Sequence, residues 1–325
     1  MDPRRGLVVG ETLVDLFPEG SGTLADVDGF RHRPGGAPAN VAVGLSRLDV
    51  APQLWTRLGD DQFGTYLAEH LASHDVPDRY VVRDDGSKTM LAFVVPGEDD
   101  QSFAFYEADP ALAFERGRIP DDALEDLAWL HFGGVALSHP TGRAAVLATA
   151  KRARECDATV TFDPNTRMDL FDAPGDAADA LEAALAATDV LCCSFDDLVP
   201  LDVAPRQARD DPRAVATELL DRGPHTVFLT FGDRGAVVVT DATPASERIA
   251  RDVDAFAVEA VDTTGAGDAF TAAVLSRFEP GWTPDRVEHV LRFAAATAGL
   301  VTTETGATGS FPDADEVESF LDGRL

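Results

Sequence analysis

The stretch of sequence that decides the fold is Val261-Asp262-Thr263-Thr264-Gly265-Ala266-Gly267-Asp268-Ala269-Phe270. Two glycines flank Ala266, and the apolar run at 269–275 predicts a buried helix after them. Glycines let successive backbone N–H groups turn into one concavity, and the start of a helix adds the positive end of its dipole. The stretch therefore predicts an anion hole with the Asp268 carboxylate at its mouth.

Asp268 suits the role of a general base in phosphoryl transfer. A carboxylate in this position can accept the proton of a hydroxyl group that attacks a phosphoryl group in line. Because a helix N-terminus stabilises negative charge, we expect Asp268 to have a low pKa. The alternative is a structural role, since aspartate before an apolar run is a common helix N-cap and Gly-x-Gly is common in turns. A P-loop is excluded because no Gly-Lys-Ser/Thr follows the glycines.

A second glycine motif precedes a predicted helix near the start of the chain. Gly35 and Gly36 allow a ligand to approach the backbone closely, and Asn40 offers both a donor and an acceptor to hydroxyl groups. Together, Gly-Gly-x-x-x-Asn-x-Ala and Asp-Thr-Thr-Gly-Ala-Gly-Asp-Ala-Phe resemble the two signatures of the ribokinase-like (PfkB) carbohydrate kinases. The other motifs resemble the branch of fructokinases and 2-keto-3-deoxygluconate kinases.

The resemblance implies an α/β ribokinase-like fold, in which a central, mostly parallel sheet has helices on both faces and a small β-sheet forms a lid. We expect one kinase domain over residues 1–325, with lid segments at about 12–34 and 86–108. The sequence pattern agrees, because predicted strands alternate with predicted helices as in doubly wound sheets. The predicted strands include 89–95 and 102–106 in the lid and 129–132, 159–162, 190–193 and 226–230 beyond it, with helices at 141–154 and 285–301.

Residues that face the sugar are implied at strand ends and in the lid. Asp15 follows the first predicted strand, at the sheet edge where ligands bind, although a solvated turn acid is the alternative. Asp163-Pro164-Asn165-Thr166-Arg167 matches the branch motif Asp-Pro-Asn-x-Arg, whose last residue can reach sugar or phosphate. The resemblance gives the sugar-binding set as Asp15, Gly35, Gly36, Asn40, Tyr106, Arg167 and Asp268.

One departure from the branch concerns the substrate. Many of its members have Phe-Tyr-Arg where this chain has Tyr106-Glu107, so the arginine that would pair with a substrate carboxylate is absent. This difference favours a neutral sugar over a sugar acid.

Nucleotide and ion sites are also implied by the resemblance. The nucleotide-binding set is Asn165, Ser194, Thr230, Gly232, Gly235, Thr264, Gly265 and Gly267. Ser194-Phe195-Asp196-Asp197 occupies the place of the usual Asn-x-x-Glu, and Asp197 can hold a magnesium-bound water, although helix capping is the alternative. The backbone carbonyls of Asp262 and Thr264, with the loop at 302–310, are expected to bind K⁺.

The composition limits the partners and the compartment. Lys and Arg total 27 against 57 Asp and Glu, giving a net charge of −30, so nucleic acids and anionic membrane surfaces are unlikely partners. Such a charge suits a high-salt cytoplasm, where the Debye length falls to about 3 Å at 1 M salt; an ordinary acidic protein from a GC-rich genome is the alternative. Three cysteines without metal-site spacing fit a reduced compartment, and no apolar run approaches the length of a membrane span. We therefore expect a cytoplasmic protein, and the resemblance implies a homodimer formed through the lid.

These observations predict an ATP- and Mg²⁺-dependent kinase that phosphorylates a sugar hydroxyl, with fructose as the first candidate. Asp268 would be the base, and the backbone N–H groups of Gly265, Ala266 and Gly267 would stabilise the charge of the transferring phosphoryl group. Three alternatives are a 2-keto-3-deoxygluconate kinase, a nucleoside kinase and a catalytically silent sugar-binding paralogue.

Overall fold

The computed structural model describes residues 5–20, 22–95, 102–106, 119–201, 203, 211–242, 247–279, 281–304, 306 and 311–323. The strands are β1 (Gly6–Val9), β2 (Leu13–Pro18), β3 (Phe30–Gly35), β4 (Gln53–Gly59), β5 (Val81–Asp84), β6 (Leu91–Val95), β7 (Ser102–Tyr106), β8 (Trp129–Gly133), β9 (Thr159–Asp163), β10 (Val190–Ser194), β11 (Thr226–Thr230), β12 (Ala236–Thr240) and β13 (Ile249–Val253). The α-helices are α1 (Ala37–Arg47), α2 (Gln62–Ser73), α3 (Pro140–Glu155), α4 (Pro174–Ala186), α5 (Pro212–Leu220), α6 (Ala266–Ser276), α7 (Pro284–Val301) and α8 (Ala314–Asp322). In the described ranges, no helix has both the length and the apolar character that crossing a membrane requires.

A nine-stranded sheet forms the body of the protein, in the order β13-β12-β11-β10-β9-β8-β1-β4-β5. Neighbouring strands from β11 to β5 are parallel, whereas β12 and β13 pair in the antiparallel sense. Along β1, Leu7 and Val9 belong to one core and Val8 to the other. Both faces are buried, which explains why these strands read as continuous apolar runs.

Helices cover both faces of this sheet. Side chains of α3, α4 and α5 contribute to the core on one face, and those of α1, α6, α7 and α8 contribute to the core on the other. The predicted central α/β sheet with helices on both faces is confirmed. Predicted strands and helices from residue 129 onward agree with the observed ones to within one residue at each end, except that α6 begins three residues before the apolar run that predicted it.

Helix α6 begins inside the motif that opened the sequence analysis. Gly265 is its N-cap in the left-handed conformation, with φ 82°, and no side chain caps the helix. Asp268 therefore lies inside the first turn, so the alternative that it is the N-cap residue is wrong. All residues from Asp268 to Leu275 are buried, which confirms the predicted buried helix.

The small sheet has the order β3-β2-β6-β7 and comes from the two segments predicted to form the lid. Its β6 begins at Leu91, two residues later than predicted. Val14 and Leu16 of β2 pack with Leu58 and Leu67 of the main body. Asp61 joins the two parts, because it caps α2 through the Gly64 N–H (2.8 Å) and accepts bonds from the Thr89 N–H and hydroxyl (both 2.8 Å).

The topology creates a crevice at one edge of the main sheet. Strand β1 lies between β4 and β8, so the chain builds the sheet outward from β1 in both directions. The carboxyl ends of β1, β8, β9, β10 and β11 share this edge, which is the usual ligand-binding edge of open α/β sheets.

Gly134 supports the loop that carries the Asp-Pro-Asn-x-Arg motif. A Cβ atom at this position would lie 1.8 Å from the Pro164 carbonyl oxygen and 2.7 Å from its carbonyl carbon. Both atoms belong to the backbone, so a side chain at 134 would displace the whole loop.

We expect Gly134→Ala to destabilise the protein by about 1–3 kcal/mol, the usual cost of overpacking. The matched control is Gly175→Ala in the first turn of α4, where no atom lies within 4 Å of the added Cβ. That substitution should be neutral or stabilise by about 0.4–1 kcal/mol through the unfolded state. Urea unfolding of both variants provides the measurement, and equal effects would contradict the packing argument.

Candidate active site

Asp268 lies at the centre of a group of polar side chains from three elements. The residue is only 6% exposed. The Asn40 side-chain amide, on α1, donates to Oδ2 at 2.8 Å, and the Asn165 amide, in the loop after β9, lies 3.5 Å from Oδ1. Asn40, Asn165 and Asp268 are far apart in the sequence, and the structure brings them together. They come from the two glycine signatures and from the Asp-Pro-Asn-x-Arg motif.

Burial raises the pKa of Asp268 to about 6; the Asn40 amide and the Arg167 charge oppose this effect, while the Asp197 charge adds to it. The expectation of a low pKa is therefore wrong. The helix field acts on this carboxyl group, but loss of solvent disfavours the charged form more strongly. Asp268 is consequently a stronger base than a solvated aspartate, and it still ionises below neutral pH.

Asp15 and Arg167 connect this group to the small sheet. Burial raises the pKa of Asp15 to about 7, although the Arg167 charge lowers it and the Asp268 charge raises it. The Arg167 guanidinium lies 4.8 Å from the centroid of the Phe103 ring in β7. Arg167 thus lies between two carboxyl groups and an aromatic side chain of the small sheet.

The glycine pair at the end of β3 fits closely against two acidic residues. A Cβ atom at Gly35 would lie 2.1 Å from Asp15 Oδ2, and one at Gly36 would lie 2.5 Å from the Glu11 carbonyl oxygen. Gly36 also has φ +100°, which side-chain-bearing residues rarely adopt. These glycines therefore admit the neighbouring acids, and their contact with a sugar stays a prediction.

The sequence analysis missed two acids, the buried Glu11 and the half-buried Asp163. Burial is the largest influence on the Glu11 carboxyl and raises its pKa to about 8. Burial and the charges of Asp197 and Asp268 raise the pKa of Asp163, which accepts a bond from the Thr271 hydroxyl at 2.9 Å. Each acid follows or ends an apolar strand at the ligand-binding edge, and that position is the signal that would have identified both.

Asp197 fixes two of the loops at this edge. It accepts bonds from the Ser194 N–H (2.8 Å), the Ser194 hydroxyl (2.6 Å) and the Thr166 N–H (3.0 Å). Asp197 lies within a 3₁₀ segment, Asp196–Leu201, and also holds the loop after β9, so simple helix capping does not describe its role.

Of the residues predicted to bind nucleotide, Thr264, Gly265 and Gly267 lie at the start of α6. Ser194, Thr230, Gly232 and Gly235 lie at or just after the ends of β10 and β11. The Thr230 hydroxyl donates to the Cys193 carbonyl at 3.4 Å. Gly232 has φ +64° and open space where a Cβ would be, whereas a Cβ at Gly235 would lie 2.0 Å from the Val253 carbonyl oxygen. Gly235 is thus required by packing against β13, whereas no neighbouring atom restricts the volume of a side chain at Gly232. Asn165 lies beside Asp268 instead of with these residues.

Asp262 joins the loop before α6 to the loop after α7. Its carboxylate accepts bonds from the N–H groups of Thr264 and Gly306, both at 2.9 Å. Partial burial acts to raise the pKa of Asp262, but these hydrogen bonds outweigh it and lower the pKa. The carboxylate is thus committed to shaping the loop, and the carbonyls of Asp262 and Thr264 are the groups that suit a monovalent cation. Within the described residues, no three or more His, Cys, Asp or Glu side chains are grouped to hold a metal.

One residue of the predicted sugar-binding set, Tyr106, is not gathered into this group. Tyr106, at the end of β7, is 56% exposed and packs edge-on against Phe93, with ring centroids 5.1 Å apart. Glu107 lies outside the described residues, as do Thr305 and 307–310.

Comparisons with known proteins test the family resemblance. The model of the pfkB family carbohydrate kinases matches residues 4–314. The chain belongs to this family. It is 34% identical to fructokinase-1 of Zea mays over 333 residues, covering 98% of each chain.

Solved structures extend the similarity of this pfkB-family kinase to fructokinases. The Xylella fastidiosa fructokinase with bound ATP superposes with a TM-score of 0.86 at 28% identity, covering 99% of each chain. A double mutant of the Vibrio cholerae fructokinase, bound to fructose, ADP and potassium, has a TM-score of 0.84 at 27% identity, covering 98% of each chain. The chain is thus a fructokinase-like sugar kinase, which confirms the function inferred from its motifs.

The raised pKa of Asp268 predicts how this residue affects stability. The folded state binds the proton more tightly than the unfolded state, so its stabilising effect is complete below about pH 4 and is lost as the pH rises to about 6. Asparagine does not titrate in this range, so Asp268→Asn should lack this pH dependence. Between about pH 5 and pH 8, we expect the free energy of unfolding of the parent to fall by more than about 1 kcal/mol relative to that of the variant.

Urea unfolding at both pH values is the measurement, with Asp172→Asn as the control because Asp172 is exposed. A difference between parent and Asp268→Asn that does not change with pH would show that Asp268 is not a proton-binding group with a raised pKa.

Proposed function

We propose that this kinase transfers the γ-phosphoryl group of ATP to a hydroxyl group of fructose or of a closely related neutral sugar. The observation that carries the proposal is the Asp268 carboxyl group, buried in the first turn of α6 and held by Asn40 at 2.8 Å. The similarity to fructokinases, one of them bound to fructose, supports the choice of sugar.

In this mechanism the chain supplies a base and an electrostatic cradle. The sugar oxygen bonds to the γ-phosphorus while the bond from that phosphorus to the bridging oxygen of ADP breaks, and Asp268 takes the hydroxyl proton. Backbone N–H groups at Gly265, Ala266 and Gly267 stabilise the charge on the transferring group. The transition state is loose, so positioning and charge contribute more than base strength.

The remaining residues take the roles that the family resemblance implies. Asp15, Asn40 and Arg167 bind sugar hydroxyls, with Gly35, Gly36 and Tyr106 completing that side. Ser194, Thr230 and Gly232 lie on the nucleotide side of the cleft.

Any Mg²⁺ at this site would be held mainly by the phosphates of ATP, because Mg²⁺ favours phosphate oxygens and retained water over a cage of protein ligands. Asp197 fits an indirect role, since its oxygens already accept three bonds from the chain. Magnesium supplies positive charge to the phosphates, and Asp197 would hold one of its waters. The small sheet acts as a lid over the sugar, and we propose a cytoplasmic homodimer joined through its edges.

A substrate comparison tests the reaction. We expect kcat/KM with ATP to be at least about tenfold higher for fructose than for 2-keto-3-deoxygluconate, a difference of about 1.4 kcal/mol in transition-state binding. The reason is that this chain has Glu107 where many members of the branch have an arginine that would pair with a substrate carboxylate, so Glu107→Arg should narrow the ratio.

Asp268→Asn is the control for the chemistry in this assay, with kcat expected to fall by about 10²–10⁴ and ATP binding retained. A tenfold preference for the sugar acid would favour the 2-keto-3-deoxygluconate kinase alternative. A nucleoside kinase would prefer a nucleoside in the same panel, and a silent paralogue would turn over none of the compounds.

Monovalent cations are proposed to act in two separable ways. Any salt screens the net charge of −30, whose repulsion reaches roughly 30 Å at 0.01 M. Potassium would also bind the carbonyls of Asp262 and Thr264 and so order the anion hole. Equal concentrations of NaCl and KCl should raise the unfolding midpoint about equally, while KCl gives the higher kcat.

Thermal unfolding and saturated turnover in each salt provide the two measurements. Equal kcat in both salts would count against the potassium site, and full stability without salt would contradict adaptation to high salt.

A further inference from the structure

Glu11 is a buried acid for which the proposed mechanism has no use. It follows β1, is 2% exposed, and its Oε2 atom has no hydrogen-bond partner in the described part of the chain. An unpaired buried polar atom destabilises the folded state, so its presence next to the active centre requires a reason.

The Glu11 carboxyl group faces the start of helix α1. Backbone N–H groups of Glu11 itself and of Ala37 donate to it, and Ala37 is the first residue of α1. The N-cap residue Gly36 has no side chain to make this contact. One turn further along, the Asn40 N–H donates to the Gly36 carbonyl at 2.9 Å while its side chain donates to Asp268 at 2.8 Å. Glu11 therefore supports the turn that aims Asn40 at the base.

The charges around Glu11 indicate which ionic form performs this task. From α6 the Asp268 carboxylate disfavours ionisation of Glu11, and from the loop after β9 the Arg167 guanidinium favours it. Asp15 on β2 lies beside the same two groups. An ionised Glu11 would give three carboxylates for one guanidinium, at a site that must receive the phosphates of ATP. Burial dominates and raises the pKa of Glu11 to about 8, so the neutral acid prevails below that pH.

We propose that Glu11 is a positioning residue that works as a neutral carboxylic acid, supporting the first turn of α1 and thereby Asn40, without adding negative charge beside Asp268. The inference rests on the proposed role of Asp268 as the base. Its first test needs no substrate, so it separates a failure of this inference from a failure of the proposed reaction.

The first test compares the parent with Glu11→Gln by urea unfolding between about pH 5 and pH 8. A carboxyl group that is neutral when folded and ionised when unfolded lowers the folding constant about tenfold per pH unit in this range. Glutamine keeps the shape and the acceptor but cannot ionise, so the variant should lose this component of the pH dependence. Glu69→Gln, which alters an exposed side chain on α2, should follow the parent. If Glu11→Gln also follows the parent, Glu11 is ionised in the folded state and the inference is wrong.

The second test is the pH profile of kcat/KM with ATP and fructose. The parent should lose activity above about pH 8 as Glu11 ionises, whereas Glu11→Gln should hold its activity to about pH 9. Glu11→Ala removes the support of α1 and should lower kcat about tenfold with a smaller change in the KM for sugar, and glutamine should restore most of that loss. An unchanged alkaline limb in Glu11→Gln, or full kcat in Glu11→Ala, would overturn the positioning role.

Discussion

The burial of several carboxyl groups at one edge of the sheet is the constraint on which the site depends. Asp268 is stabilised in its ionised form by the Asn40 amide, the Arg167 charge and the first turn of α6, and each of these comes from a different part of the chain. Removing a carboxylate from water is costly unless such partners are in place. The parallel sheet meets this requirement because it brings the ends of distant strands to one edge.

Close packing at glycines makes the convergence possible. Gly35 admits the Asp15 carboxyl group, Gly36 admits the Glu11 backbone, and Gly134 admits the loop at Pro164. Each contact leaves no room for a Cβ atom, so the segments that meet at these glycines approach more closely than side chains would allow. Because Gly36 has no side chain, it cannot cap the start of α1. The Glu11 carboxyl group accepts the hydrogen bond from the Ala37 N–H instead.

The sequence predicts most of the fold because local signals there agree with one another. Apolar strands such as Val190–Ser194 and Thr226–Thr230 alternate with helices, and the two glycine signatures identify Asn40 and Asp268 in advance. The pKa of Asp268 could not be predicted in the same way. The helix dipole is a local property of the sequence, whereas desolvation depends on side chains that arrive from distant segments. Glu11 was overlooked for the same reason, since its burial is a consequence of tertiary packing.

The net charge of −30 raises the question of how an acidic protein binds a nucleoside triphosphate, which is itself negatively charged. At the surface, salt weakens the repulsion, because charges are screened within about 3 Å at 1 M ionic strength. It does not solve the problem in the cleft, because buried charges are screened much less. There the chain has Arg167 and the N–H groups of α6 as sources of positive potential, and further ionised acids would cancel them. Raised pKa values at Glu11 and Asp163 reduce that negative charge where salt cannot act, so the burial that is costly for these acids also keeps the cleft suitable for phosphate.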